Sequence, residues 1–373
     1  MVWMEAILGS LFENTLHYTH THVQTILVDP NGPEFSGVTL GGPEHSSLHP
    51  AVLKLGMDYA NGHIRGGNPR ASAMLECFAQ VISDYIPPPD TKDVRQHLDH
   101  FVLKPSFTYW TTICRPHSVS MGNAFTFLKT TVTALPRDDM TPQQMVDTLV
   151  ETIHDYIREH ITYADQAIAA FASDKIIHGD VLLTYANPTV FSVLAETAQQ
   201  QGKDFRVIVV DSRPFYEGKI LVKNLQALQI PCTYILLHAL SYVMPQVTKV
   251  VLGASALLSE GSVLSRVGTA GIALAANQAG IPVLVCAETY KMSHRTQLES
   301  ITHNELGNHH DSFPSHTHLR VMNLLYDLTP SHMVTAIVTE LGMLPPTSVA
   351  VLLREMNPHD ATTSNSSSGS GGY

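Results

Sequence analysis

Charge is scarce in this chain. Only 15% of its 373 residues are Asp, Glu, Lys or Arg, and the 33 acids outnumber the 22 bases. A formal charge of -11 excludes a diffuse basic surface that would hold nucleic acid by its phosphates, so a macromolecular partner is expected to be protein. Cysteine is scarcer still. Cys77, Cys114, Cys232 and Cys286 are scattered, with no CxxC pair. They offer neither a zinc knuckle nor a disulfide framework, and reduced thiols of a cytosolic protein fit best. The longest apolar runs, such as residues 283–287, fall far short of the roughly 20 residues a membrane helix needs. No basic stretch precedes the apolar residues at 1–12, and Glu5 interrupts them, so no targeting segment is expected. The GxGxxG and GxxxxGK[ST] patterns are missing, which speaks against dinucleotide and P-loop nucleotide binding. GxSxG and HExxH are missing too.

Hydrophobic residues are plentiful, at 44%. That supports a sizeable core and excludes wholesale disorder, while the length points to two domains plus tails. Residues 1–47 read as an N-terminal arm, rich in His, Thr, Gly and Pro from 13 onward. A helical region begins near His49. Ala71, Met74, Leu75, Phe78, Val81, Ile82 and Tyr85 recur at spacings of three and four, and Pro87, Pro88 and Pro89 end that stripe. A second strong helix starts at Thr141, which forms a capping box with Gln144 and is followed by Pro142 at the first helical position. Its apolar face continues from Met145 to Phe171. The expectation is an all-helical domain over residues 48–172.

The texture changes after Gly179. Short apolar, β-branched runs occur at 181–184, 205–210, 232–237, 247–252 and 282–286, separated by helical-length segments. Continuous rather than alternating runs mark strands buried on both faces. Their alternation with helices predicts an α/β domain over 173–358, Rossmann-like, with a doubly wound parallel sheet. Residues 331–342 are expected to form a late helix ending at Gly342, and the Ser/Gly-rich tail at 359–373 to be disordered.

Such a sheet presents its ligand-binding loops at the C-terminal strand ends. Three qualify: Tyr185-Ala186-Asn187; Asp211-Ser212-Arg213-Pro214 with Glu217 and Gly218; and Gly253-Ala254-Ser255 with the run 261–269. An Arg near a helix N-terminus could hold a phosphate there. The plainer reading makes the glycines tight turns and pairs Arg266 with a carboxylate. His17, His20 and His22 cluster, as do His309, His310, His316 and His318, but neither group has helical ligand spacing. Solvated loops explain them better than a metal, so no metal site is expected.

Longer runs carry a resemblance. VIVVDSRP at 207–214, GASALLSEGSVLSRVGT at 253–269, PVLVCAETYK at 282–291, NLLYDLTPSHMVTAIVTELGMLP at 323–345 and CRPHSVSMGN at 114–123 resemble the regulatory alpha, beta and delta subunits of translation initiation factor two B, over roughly residues 48–355. The runs at 211–214, 288–291 and 339–343 most resemble delta. The resemblance implies a non-catalytic, cytosolic subunit of the guanine-nucleotide exchange factor for initiation factor two. It would need no cofactor and would bind neither nucleic acid nor membrane. Its partners would be the beta, alpha, gamma and epsilon subunits in a two-fold decamer, together with the alpha subunit of initiation factor two, whose phosphorylation the helical domain would sense.

The same fold serves isomerases of methylthioribose 1-phosphate and ribose 1,5-bisphosphate. These use a cysteine after the first strand and an aspartate in a Gly-Ala-Asp motif to move protons. Ala186 and Ser255 stand at the matching positions. Alanine cannot transfer a proton, and serine is a poor acid and base unless activated. Isomerase or metabolite-binding module are the alternative readings. By the same resemblance Arg65, Gly66, Arg115, Asp211, Arg213, Arg266, Gly268 and Thr269 would form a relict phosphate pocket. Leu11, Met292, Met322 and Leu324 would meet a small molecule on the beta–delta two-fold axis. The apolar residues Met343, Leu344, Val349, Val351 and Leu352 are candidates for a subunit interface, with ordinary core as the other reading.

Overall fold

A computed structural model describes residues 48–356 apart from 90, 92, 137–139, 302 and 308–321. The expected arm, the Ser/Gly tail and both histidine clusters lie outside the described residues. The chain forms two compact units that part at Asp155/Tyr156.

The first unit is helical. α1 (Pro50–Ala60) starts at His49, whose ring Nδ1 accepts from the Ala51 N–H at 3.2 Å. α2 (Gly67–Ser83) buries Ala71, Met74, Leu75, Phe78, Val81 and Ile82, the stripe expected from their spacing, and stops at Asp84 ahead of the prolines. A helical run over 94–114, α3, alternates α turns (Val94–His97, Lys104–Thr108) with π turns (Leu98–Leu103, Tyr109–Cys114). The first π turn opens the helix just before Pro105, which has no N–H to give. α4 (Val119–Ala134) is capped by Ser118, whose hydroxyl accepts from Met121 N–H at 3.3 Å. Aromatic rings close the centre: Trp110, fully buried, meets Phe78 edge-on at 5.0 Å and Tyr59 at 6.2 Å, and its indole N–H donates to Val52 O at 2.8 Å.

α5 (Pro142–Ile157) begins with the expected capping box. Gln144 N–H donates to the Thr141 hydroxyl at 3.2 Å, and Thr141 N–H donates back to Gln144 Oε1 at 2.9 Å. A π turn (Arg158–Tyr163) then leads into α6 (Ala164–Ser173). The unit boundary falls within α5, earlier than the sequence texture places it. α6 explains this: its Ile168, Ala169 and Ala172 share a core with the strands and helices that follow.

In the second unit the strands and helices alternate. β1 (Asp180–Tyr185), α7 (Thr189–Gln200), β2 (Phe205–Asp211), α8 (Gly218–Ala227), β3 (Cys232–Leu236), β4 (Lys249–Gly253), β5 (Ala256–Leu258), β6 (Val263–Arg266), α9 (Thr269–Gln278), β7 (Val283–Cys286), β8 (Met292–Ser293), β9 (Tyr326–Thr329), β10 (Ala336–Thr339), β11 (Gly342–Leu344) and α10 (Val349–Met356) follow in order. The main sheet runs β11-β10-β7-β4-β1-β2-β3, parallel except for the β10/β11 pair. Successive β1 side chains go to opposite cores: Val181 and Leu183 to one, Leu182 to the other. Both are buried, which is why the strand reads as one apolar run. A small sheet, β8-β5-β6-β9, stands beside it.

Two sequence expectations need correction. Residues 331–342 form no late helix; they make a 3₁₀ turn (Ser331–Met333), then β10, then the start of β11. β10 pairs with β7 through Ala336–Leu284, Ile337–Val285 and Val338–Cys286 and is buried along its whole length. Burial on two faces removes the periodicity that separates strand from helix. The run 261–269 is likewise no open glycine loop, because it contains β6, paired with β5 and β9.

Candidate functional site

Strand order reverses between β1 and β4, and crevices form at the carboxyl ends of strands near such a switch point. Here the residue after β1 is Ala186, held in the left-handed region at φ 57°. That conformation costs an alanine about 1–2 kcal/mol. Ala186 opens a cleft lined also by Tyr185, the 211–217 segment after β2, Arg266, Val267 and residues 323–325. Its cavity volume is about 30 Å³, room for a few waters and too small for a sugar phosphate as it stands.

The cleft's polar groups are largely used up by one another. Tyr185 O–H donates to Val267 O at 2.5 Å and accepts from the Ser212 hydroxyl at 2.6 Å. Burial pushes its phenol up to about 12. Asp211, at the end of β2, accepts from its neighbour's Ser212 N–H at 2.9 Å and from Tyr234 O–H at 3.0 Å. Gly218 lets α8 begin against that carboxylate: a Cβ there would sit 2.9 Å from Asp211 Cγ. Arg266 donates to both oxygens of Glu217, Nε at 3.0 Å and Nη2 at 2.5 Å, and lies 5.7 Å from the Phe215 and Tyr326 ring centres. The start of α9 is capped by Asp327, whose Oδ2 accepts from Gly268 N–H at 2.7 Å and Ala270 N–H at 3.0 Å. Burial raises that carboxyl to about 6 against these two hydrogen bonds. Gly268 has φ 107°, and a Cβ on it would meet the Tyr185 hydroxyl at 2.8 Å.

The structure brings Asp211, Arg213 and Arg266 to this one cleft, with Gly268 and Thr269 starting the adjoining helix. Arg65, Gly66 and Arg115 belong to the first unit. There Arg65 Nε donates to Gly62 O at 2.7 Å, Gly66 starts α2 at φ 91°, and Arg115 ends α3. Of the small-molecule candidates, Leu11 lies outside the described residues, Met292 is buried in β8, Met322 is exposed and Leu324 lines the cleft. The interface candidates divide as well. Val349 is fully buried and Leu352 packs on the core, Leu344 is half-buried, and Met343 and Val351 are exposed at 37% and 53%. Among the described residues no cluster of His, Cys, Asp and Glu could hold a metal ion.

Neither cysteine of the second unit serves the cleft. Cys232 begins β3 whereas Asp211 ends β2 opposite Leu236, which sets them about 13 Å apart along the strands. Cys286 is buried, with the Glu288 and Asp165 carboxylates near it, and burial above all pushes its thiol up to about 12. Ser255 is half-buried, donates its N–H to Leu264 O at 2.9 Å, and does not line the cleft.

A second polar cluster escaped sequence reasoning. Glu288 and Lys291, both buried, pair at 2.5 Å just after β7. Glu340 accepts from Thr289 N–H at 3.1 and 3.0 Å and from its hydroxyl, and Tyr290 meets Tyr156 edge-on at 6.3 Å. Burial, reinforced by Glu288, pushes the nearby Asp165 up to about 8. The run Glu288-Thr289-Tyr290-Lys291, quoted above for its delta-like look, is thus the heart of a packed ionic knot. An acid and a base three residues apart directly after an apolar strand were its visible sign.

Comparison with known proteins gives this geometry a context. Residues 63–346 match the initiation factor 2 subunit family. The chain is similar to translation initiation factor eIF2B subunit delta of Dictyostelium discoideum, 40% identical over 86% of this chain and 54% of that one. It is 39% identical to the Schizosaccharomyces pombe delta subunit, over 83% of this chain and 69% of that one. The chain thus spans about half the length of the first relative and about two thirds of the second. A ribose 1,5-bisphosphate isomerase of Pyrococcus furiosus is 32% identical over 65% of this chain and 76% of its own. Among solved structures, a chain of the tetrameric eIF2B beta2-delta2 complex from C. thermophilum superposes with a TM-score of 0.74, at 32% identity, covering 80% of this chain and 94% of that one.

Proposed function

Because the chain belongs to the initiation factor 2 subunit family, we propose that it is a delta-type, non-catalytic regulatory subunit of the exchange factor that recharges translation initiation factor two. The observation that carries the reading is the likeness to a chain of a beta2-delta2 complex along nearly the whole of that chain. The second unit pairs with a beta subunit, and alpha, gamma and epsilon subunits complete the assembly. The first unit answers to the alpha subunit of initiation factor two, and its phosphorylation biases two arrangements of the whole particle. The setting is the cytosol.

The cleft supports a role without catalysis. Aldose–ketose isomerisation needs a group that takes a proton and one that returns it. Ala186 stands just after β1 with no such group, and Ser255 does not line the cleft. Tagging the chain in its own cells and measuring the native mass and composition of what it carries tests the proposal. A particle of several hundred kilodaltons, with four further subunit types and initiation factor two, is the expected result. A free homodimer that turns over ribose 1,5-bisphosphate would replace the regulatory reading with the isomerase one.

A further inference from the structure

The cleft is lined by two guanidinium groups, Arg213 and Arg266, and the first turn of α9 adjoins it, the parts from which an anion site is made. Yet the inner parts are already matched by carboxylates of the same chain. Arg266 gives two hydrogen bonds to Glu217 and lies close to the Phe215 and Tyr326 rings. The Gly268 and Ala270 N–H groups give theirs to Asp327. Only Arg213, exposed at the rim, has no polar partner among the described residues. Two carboxyl groups (Asp211, Glu217) therefore line the cleft with the two guanidiniums, a third (Asp327) takes the amides of the adjoining helix, and the balance is not that of a phosphate pocket.

We infer that Glu217 is a built-in anion that occupies the Arg266 fork and closes this cleft to phosphate monoesters, making Glu217 the residue that sets its ligand specificity. A bidentate carboxylate–guanidinium pair is the same planar match a phosphate would make. An incoming phosphate must break two charge-assisted hydrogen bonds and then share the cleft with the displaced carboxylate. Both effects oppose binding, and the second grows with the ligand's charge. The same pair ties the 215–217 segment to β6, and the small cavity follows from that tie.

The test uses the full chain and two probes, inorganic phosphate and ribose 5-phosphate, by titration calorimetry. Wild type is expected to bind neither measurably. Glu217→Gln keeps the size of the side chain but removes its charge, and should raise affinity for both by about tenfold or more. Adding Arg266→Gln to that variant should abolish the gain. Wild-type binding as tight as that of Glu217→Gln would overturn the inference. So would a gain that survives in the double variant, which would place the anion on Arg213 instead. If Glu217→Gln fails to fold, melting of the wild-type chain decides: phosphate should raise the midpoint no more than sodium chloride of equal ionic strength, and a specific rise would refute the closed cleft.

Discussion

Asp165 keeps its proton at neutral pH because burial opposes its charge and the Glu288 carboxylate adds to that opposition. Lys291 pulls the other way, while Glu340 and the Cys286 thiol complete the groups around the knot. The sign of the consequence is fixed. A carboxyl with a folded pKa of about 8 against an unfolded value of 3.8 contributes most stability below the lower value and loses it as pH rises through the upper one. Asp165→Asn cannot ionise. It should melt close to wild type near pH 4 and increasingly above it, by several degrees, as pH rises towards 9, by calorimetry or circular dichroism. Parallel melting profiles for the two proteins across that range would remove Asp165 as the cause. At this scale the sequence was partly legible. Arg266 pairing with a carboxylate was the plain expectation, but its partner Glu217 lies 49 residues away, and Asp327 lies 59 residues from the amide it caps. Only the fold brings such residues together.

Helix starts were the most legible elements, since their signals are local. Thr141 and Gln144 exchange the hydrogen bonds their spacing demands. Thr141→Ala should therefore cost about 0.5–2 kcal/mol, near the low end because the cap is exposed. The check is amide hydrogen exchange, faster in the first turn of α5 and unchanged in the second unit; uniform protection would show that the cap contributes nothing. The five strands read as apolar runs all appear, within a residue or two of their expected ends. β10 was read as helix for a definite reason. Met333, Val334, Ile337, Val338 and Leu341 carry helical spacing, and a strand buried on both faces carries no competing alternation. The β-branched Ile337-Val338-Thr339 was the overlooked hint. β6 was hidden by the glycines around it.

Across the whole molecule, the apolar C-terminal residues separate by exposure into two groups. Val349 and Leu353 are buried in the second unit's own core, whereas Val351 presents more than half its surface to solvent. Val349→Ala should lower the stability of the chain itself by about 1–3 kcal/mol. Val351→Lys should change it by no more than about 0.5 kcal/mol and yet reduce recovery of partner subunits in pull-down. Unchanged recovery with Val351→Lys would take that face out of the proposed assembly. The unit boundary was legible only approximately, because helical periodicity runs through α5 into α6 while the packing changes hands between them. Finally, β10 is inserted between β7 and β11 although it comes almost last in the chain. During synthesis, the strand that will flank β7 does not yet exist when β7 leaves the ribosome. Until residues 336–339 emerge, β7 offers a bare row of backbone donors and acceptors to whatever is nearby. A chain that stops after β9 therefore lacks the partner for one whole edge of β7, and that edge rather than a shorter working sheet is what it leaves behind.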